Sequence, residues 1–105
     1  MANIDSVKFK SNNGVVLRTV ARLFSNKWFK GAELQLALQA YNLDSNEICT
    51  CLDYFTDREY IKSRAVEGKG EAFISDCNLE ELEFKLAADG RLVIMSYKQD
   101  AGIEV

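Results

Sequence analysis

The sequence predicts an α+β domain: three helices, then a β-hairpin, then a closing segment. Three observations carry this expectation. Apolar residues recur at helical spacing in three successive segments before residue 60. Period-two alternation takes over in "YIKSRAV" (60–66) and returns in "LEELEFKLA" (79–87). Between them lies "EGKGE" (67–71), a two-glycine turn.

The first helix is expected after Ser11, Asn12 and Asn13, each a suitable N-cap. Val16, Leu17, Val20, Leu23 and Phe24 then form its apolar stripe, with Arg18 and Arg22 one turn apart on the polar side. "KWFK" (27–30) suits an extended connector or a single strand rung. The second helix is read in "GAELQLALQAYN": its Leu residues alternate, but Ala, Gln, Glu and Leu favour helix, and Leu34, Ala37, Leu38 and Tyr41 then share a face.

The third helix opens with Asp44 as N-cap and Glu47 three residues on, a capping box. Ile48, Cys51, Leu52 and Phe55 make its buried stripe. Asn46, Thr50, Asp53 and Asp57 fall on the opposite face, flanked by Tyr54. Only "NLD" separates the second helix from the third, so the two should form a tight corner, although no glycine supplies the turn. Three helices followed by a hairpin is the order of a winged helix–turn–helix domain. The expected division is an arm over 1–11, a helical core over 12–59, a wing over 60–87, and a C-terminal helix and tail over 88–105.

Composition bounds the rest. At 105 residues, 48% apolar and 28% charged, the chain is long enough for one soluble core. No apolar run approaches the roughly 18 residues of a membrane span, and "MANIDSVKFK" lacks a signal-peptide core, so no membrane association and a cytoplasmic location are expected. Cys49, Cys51 and Cys77, odd in number and without an export signal, read as reduced thiols. The net charge of −3 is unevenly spread: +5 over residues 1–30, −5 over 31–60 and −3 over 61–105. The middle third is not where an anionic partner would be met.

"LDYFTDREYIKSR" (52–64, with Leu52 leading) resembles the segment of MarR/PadR-like winged helix proteins in which the third helix runs into the first wing strand. "KLAADGRLVI" (85–94) is similar to their passage from the second wing strand into the last helix. The likeness spans roughly residues 12–98. It implies a winged helix fold, homodimerisation through the terminal helix and regulation of transcription by binding duplex DNA. The chain departs from the pattern at Ala87, where a capping Thr or Ser is usual. Asp89–Gly90 is also a strong hairpin signal, so "LEFKLAADGRLVIMSY" reads as a β-hairpin on its residues and as strand plus helix on the resemblance. The wing tip, over 66–81, is long, and "EAFISD" suggests a further short strand.

Affinity for duplex DNA comes mainly from phosphate neutralisation, and sequence is read by groups in the major groove. The third helix offers Asn46, Thr50, Asp53 and Tyr54 as base-reading candidates, but its face has no Lys or Arg, and its aspartates repel phosphate unless they accept from a cytosine amino group. The cationic candidates are Lys62, Arg64 and Lys69 on the wing, Arg58 before it, and Lys27 and Lys30 before the second helix. The alternative is that these are ordinary solvated residues and that the domain is a protein-interaction module using its acidic third helix.

Catalysis is not expected. The chain has no histidine, the commonest general base. Cys49 and Cys51 diverge by about 200° on a helix and cannot share a metal or a disulfide. "EGKG" lacks the context and the Ser/Thr of a phosphate loop. No catalytic residue, metal site or cofactor is assigned; duplex DNA, a second copy of the chain and a protein partner are the candidate partners.

Overall fold

Leu82, Phe84 and Leu86 alternate inward along Leu82–Leu86 (β3), the central strand of a three-stranded antiparallel sheet. Phe29–Lys30 (β1) pairs on one side, Phe29 opposite Phe84 and Lys30 opposite Glu83. Ile61–Ala65 (β2) pairs on the other, from Ile61 opposite Leu86 to Ala65 opposite Leu82. The structure, a computed structural model, describes residues 4–67 and 74–104. Its α-helices are α1 (Ile4–Phe24), α2 (Gly31–Ala37), α3 (Ser45–Asp57) and α4 (Ala88–Ile94).

The apolar sheet face (Phe29, Ile61, Leu82, Phe84 and Leu86) joins one core with Val16, Leu17, Val20, Leu34, Leu38, Ile48, Leu52 and Phe55. Each side chain of this size contributes about 1.5–3 kcal/mol by leaving water. Among the described residues no helix is long and apolar enough to cross a membrane.

The expected arm is instead the start of α1, which begins at Ile4 and continues through Ser11–Gly14. Those residues serve tertiary packing rather than a cap. Asn13 is buried and donates from Nδ2 to the Gly102 carbonyl at 2.8 Å. A Cβ on Gly14 would lie 1.8 Å from the Glu104 carbonyl oxygen, so glycine lets the C-terminal tail cross α1 there. The tail is also held by Glu104 N–H donating to the Lys10 carbonyl at 3.1 Å, and by Arg18 donating to the Glu104 carbonyl at 2.8 Å. Ile103 is buried beneath it.

The corner between α2 and α3 forms without glycine. A 3₁₀ turn over Gln39–Tyr41 ends at Asn42, whose φ of 58° is the left-handed conformation that Asn tolerates best after Gly. Leu34 and Leu38 are buried as expected, whereas Tyr41 turns outward. The capping box of α3 is present: Asp44 Oδ1 accepts from Glu47 N–H at 2.8 Å, and Glu47 Oε1 accepts from Asp44 N–H at 3.1 Å. Ile48, Cys51, Leu52 and Phe55 are all buried.

After β3 the chain is helical, so Asp89–Gly90 does not form a hairpin turn. Gly90 permits close packing instead: a Cβ there would lie 2.3 Å from the Tyr60 carbonyl oxygen. The N-cap Ala87 supplies no side-chain cap, as its sequence implies, and the chain leaves the helix through Met95 and Ser96, whose φ is 64°. Val93 faces the core while Leu92, Met95 and Tyr97 are exposed. Within the expected "EAFISD" strand, Ile74–Asp76 is a 3₁₀ turn; Glu71–Phe73 lie outside the described residues.

The cysteines correct the reading of three reduced thiols. Cys49 and Cys77 form a disulfide, their Cα atoms 5.8 Å apart, and Cys51 is free and buried. Cys49 and Cys51 do not pair, as their helical spacing requires.

Candidate nucleic-acid interface

The alternation that buries one face of the sheet sends the charged residues of all three strands to the other. Cross-strand register places Lys30, Glu83 and Arg64 in one row. Lys62 and Lys85 stand opposite each other two residues along the β2–β3 ladder. Among the described strand residues, this face therefore gathers four cations and one carboxylate.

Arg64, on the edge strand β2, reaches across the sheet face to Trp28, the residue before β1. Its guanidinium lies 3.8 Å from the centroid of the half-buried Trp28 ring, and its Nε is 3.2 Å from Glu83 Oε1. The ring and the carboxylate orient the guanidinium while half of the side chain stays exposed, 51%. Among the described residues no carboxylate ion-pairs with Lys30, Lys62 or Lys85. Their charge is available to an external anion.

Other sequence-predicted cations lie apart from this patch. Lys27 Nζ sits 5.7 Å from the Phe24 ring centroid. Arg58 covers the Tyr54 ring at 5.1 Å, with Nη1 3.8 Å from Asp100 Oδ2. Lys69 lies outside the described residues. The DNA-contacting group expected from sequence does not include Lys85 or Trp28. The outward position of Lys85 is legible from the alternation of its strand, but its pairing with Lys62 is set by register.

On α3, Asn46, Thr50, Asp53 and Asp57 are exposed and bring no positive charge. Thr50 donates its hydroxyl to the Asn46 carbonyl at 2.9 Å, which uses its proton within the helix. Glu47 is held by Lys8 Nζ at 2.9 Å. The Lys8 contact, helped by the Asp44 N–H and opposed by desolvation, lowers the Glu47 pKa.

Tyr54 does not point freely outward. It packs edge-on to Phe9 and donates its hydroxyl to Asp100 Oδ1 at 2.5 Å. Tyr60 donates to Asp100 Oδ2 at 2.5 Å, and Gly102 N–H donates to Oδ1 at 2.8 Å. The Asp100 side chain is 2% exposed. Burial favours its protonated form, yet the hydrogen bonds from Tyr54, Tyr60 and Gly102 and the Arg58 charge outweigh it and hold the carboxyl below its usual range. Burial first and Asp100 second push Tyr60 up to about 12 and raise Tyr54. This cluster, which sequence reasoning missed, fastens the C-terminal tail to α3.

Among the described residues no group of three His, Cys, Asp or Glu side chains could hold a metal ion. No protein-family model, curated protein or solved structure matches the chain.

Proposed function

We infer that the chain is a winged helix–turn–helix protein that binds duplex DNA through the solvent face of its sheet. The strands of the wing and Lys30 contact phosphates, and α3 acts as scaffold more than as base reader. The observation that carries this reading is the grouping of Lys30, Lys62, Arg64 and Lys85 on one face, with Glu83 the one carboxylate among the described strand residues there. Three helices followed by a hairpin, with a tight α2–α3 corner, support the winged helix assignment, as does the resemblance of "LDYFTDREYIKSR" and "KLAADGRLVI" to MarR/PadR-like regulators. A homodimer belongs to the same reading, and exposed Leu92, Met95 and Tyr97 give it apolar surface.

One observation favours a second reading. The exposed Asp53 and Asp57, on a helix face without cations, suit a basic protein surface better than a phosphate backbone. On that reading the domain is a protein-interaction module.

Fluorescence anisotropy with a labelled generic duplex across a salt series separates the two. Three or four phosphate contacts give a slope of about −3 in log affinity against log salt. Lys62→Glu with Lys85→Glu should weaken binding at least about tenfold and flatten the slope by about 2. Absence of binding by the native protein at low salt would reject the DNA reading and favour the protein-interaction module.

A further inference from the structure

We propose that Cys49 and Cys77 form a reversible thiol–disulfide latch that fastens the returning limb of the β2–β3 connection to α3. The inference does not depend on DNA binding. Its first support is placement. Cys49 lies on the inner border of α3 and is nearly buried, whereas Cys77 lies in the turn after Ile74–Asp76, where the long connection rejoins the body. Among the described residues, the Cys77 N–H donates to the Ile74 carbonyl at 3.0 Å, and Ile74 and Cys77 are each only partly buried against the core.

The second support is the backbone. Cys77 has a φ of 54°, in the left-handed region that non-glycine residues seldom occupy. Such a conformation persists where its surroundings over-determine it, and the bond to Cys49 is the covalent constraint at this residue. The third support is that the dithiol form is also accommodated. Cys77 Sγ lies 3.2 Å from the Ser45 carbonyl oxygen, which can accept the S–H when the bond is open. That contact is weak, so reduction leaves the sulfur satisfied but the turn lightly held.

The exchange chemistry has one accessible route. A thiolate of the glutathione class attacks the sulfur of Cys77, the more exposed residue of the pair, forming a mixed disulfide. The Cys49 sulfur leaves with the bonding electron pair and takes a proton. A second glutathione thiolate then attacks the mixed disulfide, releasing Cys77 as a thiol and glutathione disulfide. The protein disulfide is thereby reduced by two electrons, and two glutathiones are oxidised; glutathione disulfide drives the reverse. Cys51 does not intercept the exchange: it points away from Cys49 on the helix, and burial, followed by the charge of Glu47, pushes its thiol up to about 12.

Hydrogen exchange on the full chain, poised with either glutathione or glutathione disulfide, tests the latch. Alkylation under denaturing conditions should label three cysteines in the reduced form and only Cys51 in the oxidised form. Reduction should speed amide exchange over residues 74–79 by about tenfold or more, with α3, β2 and β3 little changed. Cys49→Ser and Cys77→Ser should reproduce the reduced pattern whatever the glutathione poise. Unchanged exchange over 74–79 would overturn the proposal, because the bond would then not hold the turn. Faster exchange throughout α3, β2 and β3 would overturn it too, since the bond would be a global staple. Three labelled thiols after treatment with glutathione disulfide would show that the pair is not a redox site.

Discussion

Lys62 and Lys85 stand directly opposite each other across the β2–β3 ladder, two like charges in register on the solvent face. Opposed like charges destabilise a sheet, and opposite charges in that arrangement stabilise it by a few tenths to about 1 kcal/mol. Lys62→Glu should therefore raise fold stability by about 0.5 kcal/mol at low ionic strength, seen as a higher urea midpoint. The same variant should lose DNA affinity on the proposed reading. A variant both less stable and fully DNA-binding would contradict both halves of the argument.

Asp100 makes stability depend on acid in a defined direction. Its folded pKa is lowered, so its contribution is fully present above the unfolded carboxylate value of about 3.9 and is lost as pH falls through the folded value. Asp100→Asn, which removes the charge that Tyr54 and Tyr60 donate to, should cost about 2 kcal/mol at pH 7. The gap between native and variant urea midpoints should hold down to about pH 4 and close below it.

At the alkaline end the sign reverses. Tyr60 is raised to about 12, so the stability from its neutral phenol is complete below the unfolded value of about 10 and disappears as pH rises toward 12. In Asp100→Asn, Tyr60 should ionise earlier, because the adjacent negative charge is gone. Tyrosinate absorbance read against pH measures that shift; an unmoved titration would mean that burial alone sets it.

Gly90 gives a sharper test of packing against propensity. Alanine favours helix over glycine by about 1 kcal/mol. Here, however, its Cβ would meet the Tyr60 carbonyl oxygen, which also accepts from the Ala87 N–H at 2.9 Å and cannot yield without straining that bond. Gly90→Ala should thus destabilise the fold by about 1–3 kcal/mol, measured by urea unfolding, despite the better helix former.

The same residue shows where sequence reading stops. Asp89–Gly90 carries a local hairpin signal, and what overrides it is a close approach to Tyr60, thirty positions earlier in the chain. The features legible in advance are likewise local: the Asp44–Glu47 box, the Ile48, Cys51, Leu52 and Phe55 stripe, and the alternation of Leu82, Phe84 and Leu86. Asn13 mimics a cap because its partner, Gly102, lies at the far end of the sequence, and the need for Gly14 comes from Glu104 beside it. The pairing of Cys49 with Cys77 joins residues 28 apart through a turn that no sequence pattern announced. For the candidate interface, periodicity indicated that Lys62 and Arg64 lie outward, but only the register brings Lys30 and Lys85 to them.

The acidic face of α3 supplies the decisive contrast for where DNA would sit. Asp53 and Asp57 are exposed on α3, whereas Lys30, Lys62, Arg64 and Lys85 occupy the sheet's solvent face. If phosphates meet the sheet, neutralising the two aspartates should change affinity by less than about threefold at physiological salt, where charges beyond roughly 8 Å are screened. Asp53→Asn with Asp57→Asn, titrated beside Lys62→Glu with Lys85→Glu, makes the comparison within one anisotropy series. A gain of about tenfold on removing the aspartates would instead place α3 against the backbone, because only charges close to phosphate produce so large an effect.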